Sequence, residues 1–312
     1  MQVRRLGSSG LEVSRLALGT MTWGAQTDEY AAEDLMNLFL DAGGTLIDTA
    51  PIYGDGNCEW LAGRLLEGRR DSVVVAGKAG LHLSGNGVVR DASRNALMRQ
   101  LDASLRDLRT DYLDLWQVHH WDAKVPVEET IATLDNAVRM GKVRHAGICN
   151  YTGWQSVAAQ DWYAKVNAAD RLVSTQVEYS LMNRQIETEV VPAAEYAQLS
   201  VLAWSPLGRG VLTGKYRGGI PVDSRAADDH WEGFVSPYLA KSHIVDAVAK
   251  AADGLGVSES HIALAWLRDQ PLVASAIVGA RTPAQLAESL ASEDLELPQE
   301  IHDALDDVSE GA

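Results

Sequence analysis

The sequence predicts an α/β fold, a (β/α)8 TIM barrel, on three observations. Short β-rich runs alternate with amphipathic stretches along the 312 residues, a pattern shared by closed barrels and by open doubly wound sheets. A dinucleotide-binding open sheet carries G-x-G-x-x-G after its first strand, whereas this chain has TMTWG at 20–24. No Pro/Ser-rich linker, charge block or low-complexity segment marks a domain boundary. We therefore expect a closed barrel in a single domain over residues 1–312.

The elements follow from hydrophobic periodicity and from helix-end signals. The predicted strands are Leu16–Gly19, Thr45–Asp48, Ser72–Ala76, Tyr112–Val118, Val143–Ile148, Leu172–Val177, Ser200–Ala203 and Ala274–Val278. The predicted helices include Asp28–Ala42, Arg90–Leu108, Val127–Met140, Glu187–Ala197 and Ser258–Leu267. Gly141 stands where a helix C′ glycine is expected, and Ser258 stands where an N-cap is expected.

Two further segments complete the predicted architecture. The turn Gly7–Gly10 between β-prone residues predicts an N-terminal β-hairpin over Gln2–Val13, which would close the bottom of the barrel. The segment Leu207–Tyr238 is rich in Gly, Asp and Arg and predicts a long loop after the seventh strand. Loops of this length inside compact domains are usually functional.

Composition narrows the possible partners. Asp plus Glu number 43 against 27 Lys plus Arg, which gives a net charge of −16. Nucleic acid and anionic membranes need a basic face, so we expect neither as a partner. The two cysteines, Cys58 and Cys149, are too few for a disulfide framework or a structural zinc site. With neither a signal peptide nor an apolar run of about 20 residues, the sequence predicts a soluble, cytoplasmic protein.

Polar side chains at three consecutive strand ends predict the chemistry. Asp48 ends the second strand, Lys78 follows the third, His119 follows the fourth, and Tyr53 lies a short loop after Asp48. Barrel enzymes keep their active sites at the C-terminal ends of the strands. Each residue alone has an ordinary structural explanation, such as a solvated lysine or a turn-capping aspartate. Together they form a metal-free proton-donating site, in which an ammonium lowers the pKa of a phenol and an imidazole donates to a carbonyl oxygen.

Sequence motifs along nearly the whole chain, from about Val3 to Ser289, resemble the aldo-keto reductase superfamily. The matching runs are DTAPIYG at 48–54, Lys78, YLDLWQVH at 112–119, GICNY at 147–151, QVEYS at 176–180, AWSPLGRG at 203–210, LTGKY at 212–216 and GARTP at 279–283. The resemblance implies a (β/α)8 barrel and NAD(P)H-dependent reduction of an aldehyde or ketone, a small-molecule carbonyl substrate.

The resemblance also implies residue roles. Tyr53 would be the general acid, Lys78 its partner, Asp48 the carboxylate that holds Lys78, and His119 the carbonyl-orienting donor. The implied NADP(H) contacts are Thr20, Met21, Asp48, Asn150, Gln176, Trp204, Ser205, Pro206, Leu207, Gly210, Lys215, Arg225, Gly279, Arg281, Gln285, Glu288 and Ser289. Among these, Trp204 would stack on the nicotinamide and Arg281 would bind the 2′-phosphate. The substrate rim is expected from Trp23, Tyr53, His119 and Trp121, together with Tyr151, His230, Trp231 and Phe234.

Some assignments have structural alternatives at the sequence level. Trp204 is also compatible with the barrel core, and Arg281 is also compatible with an ion pair to Glu288. Four positions depart from the common family pattern. They are Cys149 in place of Ser, Ser289 in place of Asn, Val278 in place of Pro and His120 in place of Arg.

Two other functions compete with the reductase. Potassium-channel β-subunits have a similar fold and bind NADP as sensors, but they lack a histidine at the position of His119. An aldolase-like Schiff-base enzyme would use Lys78 as nucleophile, which requires a neutral lysine. The neighbouring Asp48 argues for a charged one. The sequence therefore favours the enzyme that reduces carbonyls.

Overall fold

The computed structural model describes residues 1–85, 87–222, 224–227 and 232–312, with the side chains of Arg225 and Glu232 outside that description. The strands, in chain order, are β1 (Val3–Arg5), β2 (Glu12–Ser14), β3 (Leu16–Gly19), β4 (Leu46–Asp48), β5 (Val74–Ala79), β6 (Leu81–Ser84), β7 (Gly87–Arg90), β8 (Leu113–Val118), β9 (Val143–Cys149), β10 (Ser174–Glu178), β11 (Ser200–Trp204) and β12 (Val273–Gly279). Eight of them form a closed parallel barrel in the order β10-β11-β12-β3-β4-β5-β8-β9. The predicted barrel is confirmed, and each predicted strand overlaps one barrel strand.

Helices surround the barrel. They are α1 (Glu29–Asp41), α2 (Cys58–Leu65), α3 (Arg94–Asp107), α4 (Val127–Arg139), α5 (Gly153–Val166), α6 (Ile186–Tyr196), α7 (Glu232–Leu239), α8 (Ser242–Leu255), α9 (Glu259–Arg268), α10 (Pro283–Ala291) and α11 (Gln299–Val308). Within the described residues, no helix is both long and apolar enough to span a bilayer.

Helix ends follow the local chemistry of the sequence. Ser258 caps α9 by accepting a hydrogen bond from the backbone N–H of His261, and Gly141 adopts a φ of 73° just after α4, as predicted. The third helix begins later than predicted, at Arg94 rather than Arg90. Gly87–Arg90 pairs with Leu81–Ser84 in the β6–β7 hairpin, and the Ser93 side chain then caps the helix by accepting from Ala96 N.

The N-terminal hairpin closes the bottom of the barrel, as the sequence predicted. β1 pairs with β2, and the fully buried side chains of Leu6 and Val13 join the barrel-interior cluster with Leu46, Leu115 and Leu202. Gly7 adopts a φ of 53°, and a Cβ there would lie 2.8 Å from the backbone oxygens of Gln198 and Val173. Only glycine fits this approach without strain. The opposite, C-terminal end of the barrel therefore remains for the polar site.

The segment predicted as a long loop after the seventh barrel strand is partly helical. A short 3-10 helix spans Gly208–Thr213, and α7 begins at Glu232. The Gly, Asp and Arg content of this segment predicted a loop and gave no indication of α7, which packs against the 3-10 helix. This connection lies beside the C-terminal ends of β10 and β11.

Candidate active site

A buried ion pair forms the base of the site. Lys78 Nζ, on β5, donates to Asp48 Oδ2 at 2.7 Å and to the Thr49 backbone oxygen at 3.0 Å. Gln176 Nε2, on β10, donates to the other Asp48 oxygen at 2.8 Å. The adjacent strands β4 and β5 thus bring the Asp48 carboxylate and the Lys78 ammonium side by side, and the Lys78 side chain is fully buried. Burial lowers the pKa of the Lys78 ammonium, but Asp48, with smaller contributions from Tyr53 and Cys149, raises it, and the net pKa lies above its usual value.

Tyr53 lies over this ion pair in a short 3-10 helix that follows β4. Lys78 Nζ lies 4.9 Å from the centre of the Tyr53 ring. The next residue, Gly54, has a φ of 56°, and a Cβ there would collide with the Trp23 carbonyl oxygen. Glycine therefore allows the Tyr53 segment to pack closely against the loop after β3.

The pKa of Tyr53 differs in direction from the sequence prediction. Burial raises it to about 12, while Lys78 acts in the opposite direction, both through its charge and through a hydrogen bond. The expected influence of Lys78 is present, but the expected net lowering is wrong because the phenol is buried. Tyr53 is therefore a protonated hydrogen donor at neutral pH.

His119 lies beside Tyr53 at the end of β8. The two rings are edge-on, with centroids 6.0 Å apart. Burial first, and then the neighbouring Lys78 charge, lower the pKa of His119 well below its usual value. A neutral imidazole can donate one hydrogen bond without serving as a strong acid. The His119 backbone oxygen accepts from Asn150 Nδ2 at 3.0 Å, and Asn150 Oδ1 accepts from Trp204 Nε1 at 3.0 Å.

These groups open into one cavity of about 580 Å³. Most residues that the sequence assigned to the cofactor or substrate line it: Met21, Asp48, Tyr53, His119, Asn150, Gln176, Trp204, Ser205, Pro206, Leu207, Gly210, Lys215, Gly279, Arg281, Gln285, Glu288 and Ser289. Trp204 is partly buried, lines the cavity wall and also packs against the barrel-interior cluster.

Lys215 and Arg281 contribute cationic side chains to the cavity lining. Lys215 follows the 3-10 helix, and Arg281 follows β12. The Arg281 backbone N–H donates to Gln285 Oε1 at 2.9 Å, and the Thr282 side chain caps α10. Helix N-termini of this kind favour anions. The cavity lining at the start of α10 can therefore hold a phosphate group.

Several predicted residues do not reach the wall of this cavity. Five of the predicted residues that the structure describes are absent from the lining, namely Thr20, Trp23, Lys78, Trp121 and Tyr151. Thr20 and Trp23 are fully buried, and Thr20 Oγ1 donates to the Asp48 backbone oxygen. Trp121 instead packs against aromatic residues Tyr151 and Trp154. The Arg225 side chain and the predicted rim residues His230 and Trp231 lie outside the described part of the chain.

The structure adds lining residues that the sequence did not indicate. They include Arg209, Thr213, Ser258 and Ser260, with Phe234 of the predicted rim now placed in the same wall. The two serines lie at the N-terminus of α9, where the sequence predicted Ser258 as the N-cap. Arg209 lies within the AWSPLGRG motif, but the motif assigned it no role, because its contacts are made with residues far away in the sequence.

The four departures from the family pattern occupy different environments. Val278 and Ser289 line the cavity, and Ser289 Oγ donates to the Gln285 backbone oxygen at 3.1 Å. Cys149 is a buried free thiol at the end of β9, and burial raises its pKa. Burial also lowers the pKa of the partly buried His120. Cys58, like Cys149, is a buried free thiol.

Comparison with known proteins settles the family. The model of the Aldo/keto reductase family matches residues 15–310. The chain belongs to this family. The oxidoreductase YrpG of Bacillus subtilis, itself uncharacterized, is 36% identical to this aldo/keto reductase over 100% of the chain and 97% of its own length. A probable voltage-gated potassium channel subunit beta of Oryza sativa is 34% identical, over 95% of this chain and 92% of its own.

A solved structure shows the same fold. The glycerol dehydrogenase of Gluconobacter oxydans superimposes on this aldo/keto reductase with a TM-score of 0.84, at 32% sequence identity. The match covers 98% of this chain and 94% of that one.

Proposed function

We propose that this aldo/keto reductase uses NADPH to reduce an aldehyde or ketone to the alcohol. One observation carries the proposal. The protonated Tyr53 lies over a fully buried Lys78–Asp48 ion pair and shares one cavity with the residues proposed to bind the nucleotide. Such a donor next to a fixed cation suits a reaction in which an oxygen gains a proton.

The residues of this chain divide the chemistry between them. Tyr53 Oη gives its proton to the carbonyl oxygen, and the Lys78 ammonium stabilises the phenolate that remains. Asp48 keeps Lys78 charged and is itself held by Gln176. The neutral His119 donates to the carbonyl oxygen and orients it beside Tyr53. When bound, the reduced nicotinamide supplies the hydride.

The shape and donors of the cavity fit a dinucleotide. Asn150 and Gln176 can hold the carboxamide, and Trp204, fixed by its hydrogen bond to Asn150, presents a ring for stacking. The pyrophosphate would lie against Ser205–Gly210 and Lys215, and the adenosine would lie against Gln285, Glu288 and Ser289. Arg281 would bind the 2′-phosphate and so favour NADPH over NADH. A cytoplasmic location is part of the same proposal.

The two alternatives to the reductase are a cofactor-binding sensor and a Schiff-base enzyme. The probable channel β-subunits among the relatives support a second candidate, an NADP(H)-binding sensor that turns over slowly or not at all. His119 beside Tyr53 favours turnover instead. The Schiff-base alternative is disfavoured because Asp48 keeps the pKa of Lys78 above its usual value, so the amine is protonated.

The test is a screen of NADPH oxidation, measured as the loss of absorbance at 340 nm. The panel contains aldehydes, ketones and short carbonyl compounds derived from polyols. The last class is included because the solved relative is a glycerol dehydrogenase. We expect turnover with at least one carbonyl class. Tight NADPH binding without turnover over the whole panel would favour the sensor, and covalent trapping of a carbonyl by borohydride would favour the Schiff-base enzyme.

A further inference from the structure

The Cys58 thiol lies at the centre of a buried polar network. Cys58 is the first residue of α2, which begins shortly after the 3-10 helix that carries Tyr53. Its Sγ lies 3.0 Å from Thr20 Oγ1, 3.1 Å from the Thr20 backbone oxygen and 3.4 Å from Thr49 Oγ1. Cys58, Thr20 and Thr49 are all fully buried, and we call them the Cys58 network.

The hydrogen atoms of the Cys58 network can be assigned from its contacts. Burial raises the pKa of Cys58 to about 11, so the thiol keeps its hydrogen at neutral pH and donates it to Thr20. The Thr20 hydroxyl donates in turn to the Asp48 backbone oxygen at 2.9 Å. The hydrogen between Thr49 and Cys58 therefore belongs to the Thr49 hydroxyl, and the sulfur accepts it. The thiol thus acts both as a donor and as an acceptor, and alanine could fill neither role.

The contact between Thr49 and Cys58 closes a loop around Tyr53. The two residues lie nine positions apart, and Tyr53 lies between them. Thr49 directly follows β4 and is held there, because its N–H donates to the backbone of β5 and its own backbone oxygen accepts from Lys78 Nζ at 3.0 Å. The loop also packs closely on Cys58, since a Cβ at Gly54 would lie 3.3 Å from the Cys58 Cβ. A displacement of Cys58 would therefore move Tyr53 relative to Lys78.

We infer that Cys58 is a positioning residue whose thiol holds residues 50–57 against Thr20 and Thr49 and thereby fixes the Tyr53 phenol over the Lys78 ammonium. The inference rests on the proposed function, since it takes Tyr53 to be the proton donor. It predicts that a loosened loop slows proton transfer, because a displacement of about 1 Å can cost a reaction about 100-fold in rate. Cys58 and Thr49 are not among the described lining residues of the cavity, so nucleotide affinity should not change.

The experiment measures single-turnover carbonyl reduction at saturating NADPH, together with the dissociation constant for NADPH. Cys58→Ala removes the sulfur, Cys58→Ser keeps a group that donates and accepts, and Thr49→Val keeps the shape of the side chain and removes its hydroxyl. We expect Cys58→Ala and Thr49→Val to slow reduction by about tenfold or more at unchanged NADPH affinity, and Cys58→Ser to recover most of the rate. The double variant of Cys58→Ala and Thr49→Val should resemble Cys58→Ala, because both changes break the same contact.

A second measurement reports on the loop in the absence of nucleotide. Amide hydrogen exchange, followed by mass spectrometry on the ligand-free protein, measures how readily residues 50–57 open. We expect faster exchange in this segment for Cys58→Ala and Thr49→Val, and near wild-type exchange for Cys58→Ser. All variants are compared below the lowest melting temperature of the set, so that global unfolding does not contribute. An unchanged reduction rate in both Cys58→Ala and Thr49→Val would overturn the inference.

Thr130 provides a matched control for Thr49. It is also buried, its Oγ1 donates to the Ala92 backbone oxygen at 3.1 Å, and it is not among the described lining residues. Thr130→Val should lower the melting temperature and leave both the reduction rate and the exchange of residues 50–57 unchanged. Equal slowing in Thr130→Val and Thr49→Val would assign the effect to lost stability and would also overturn the inference. A near-normal rate in Tyr53→Phe would instead overturn the proposed function, because the loop would then carry no essential proton donor.

Discussion

Replacing Lys78 by methionine changes the electrostatic environment of the proton donor Tyr53 and leaves Tyr53 itself in place. With the Lys78 Nζ at 4.9 Å from the Tyr53 ring centre, an effective dielectric constant of about 20 gives an interaction of roughly 3 kcal/mol with a phenolate. This corresponds to ~2 pKa units. We therefore expect Lys78→Met to raise the pKa of Tyr53 further above about 12 and to slow carbonyl reduction by roughly 100-fold or more.

The same change leaves the buried Asp48 carboxylate without its cationic partner. The resulting loss of stability must be separated from the loss of catalysis. Removing one member of a buried ion pair costs about 3–5 kcal/mol of stability. Combining Lys78→Met with Asp48→Asn removes the stranded charge, while Gln176 can still donate to the side-chain amide oxygen that replaces the carboxylate. The double variant should therefore recover much of the melting temperature but none of the turnover.

The assay combines thermal unfolding, NADPH binding and the pH dependence of alcohol oxidation with NADP⁺. Oxidation needs the Tyr53 phenolate as base, so its rate should rise with pH toward the phenol pKa, and this rise should move to higher pH without Lys78. Recovery of wild-type turnover in the double variant would refute the proposed role of Lys78, as would an unshifted pH profile.

Three further predictions address other parts of the molecule. Arg281→Ala should weaken NADPH binding by about 10- to 150-fold, the loss of one charge-assisted bond, and leave NADH binding nearly unchanged; equal weakening of both in fluorescence titrations would assign Arg281 a structural role. His119→Gln should slow turnover by less than the ~10²–10³-fold cost of deleting a donor, because an amide still donates, whereas complete loss with intact NADPH binding would make His119 the acid. Burial raises the pKa of the Glu59 carboxyl on α2 from its ordinary 4.5 to about 7. The free energy of unfolding therefore falls by about 3 kcal/mol as the pH rises from the ordinary pKa to the raised one. Glu59→Gln should thus raise the melting temperature at pH 8 and do little at pH 4, and an equal gain at both would count against a buried, titrating carboxyl.

The sequence was informative where local pattern decides the structure. Short β-rich runs located the barrel strands, and caps located helices such as α9. The strand-end rule predicted that Asp48, Tyr53 and His119 lie together, and all three line one cavity. Three features depend on tertiary packing and were missed. They are the burial of Trp23 beneath Gly54, the net rise of the Tyr53 pKa on burial, and the pairing of Arg209 with Glu178, which lies 31 residues away.

The most direct test of the proposed chemistry compares wild type with Tyr53→Phe, which removes the proton donor and keeps the ring. NADPH affinity, measured by quenching of tryptophan fluorescence, and single-turnover reduction of the best carbonyl substrate should be determined on the same preparations. We expect unchanged NADPH affinity and a rate lower by at least the ~10²–10⁴-fold typical of general acid catalysis. Near-normal single-turnover reduction by Tyr53→Phe would contradict the assignment of Tyr53 as the acid.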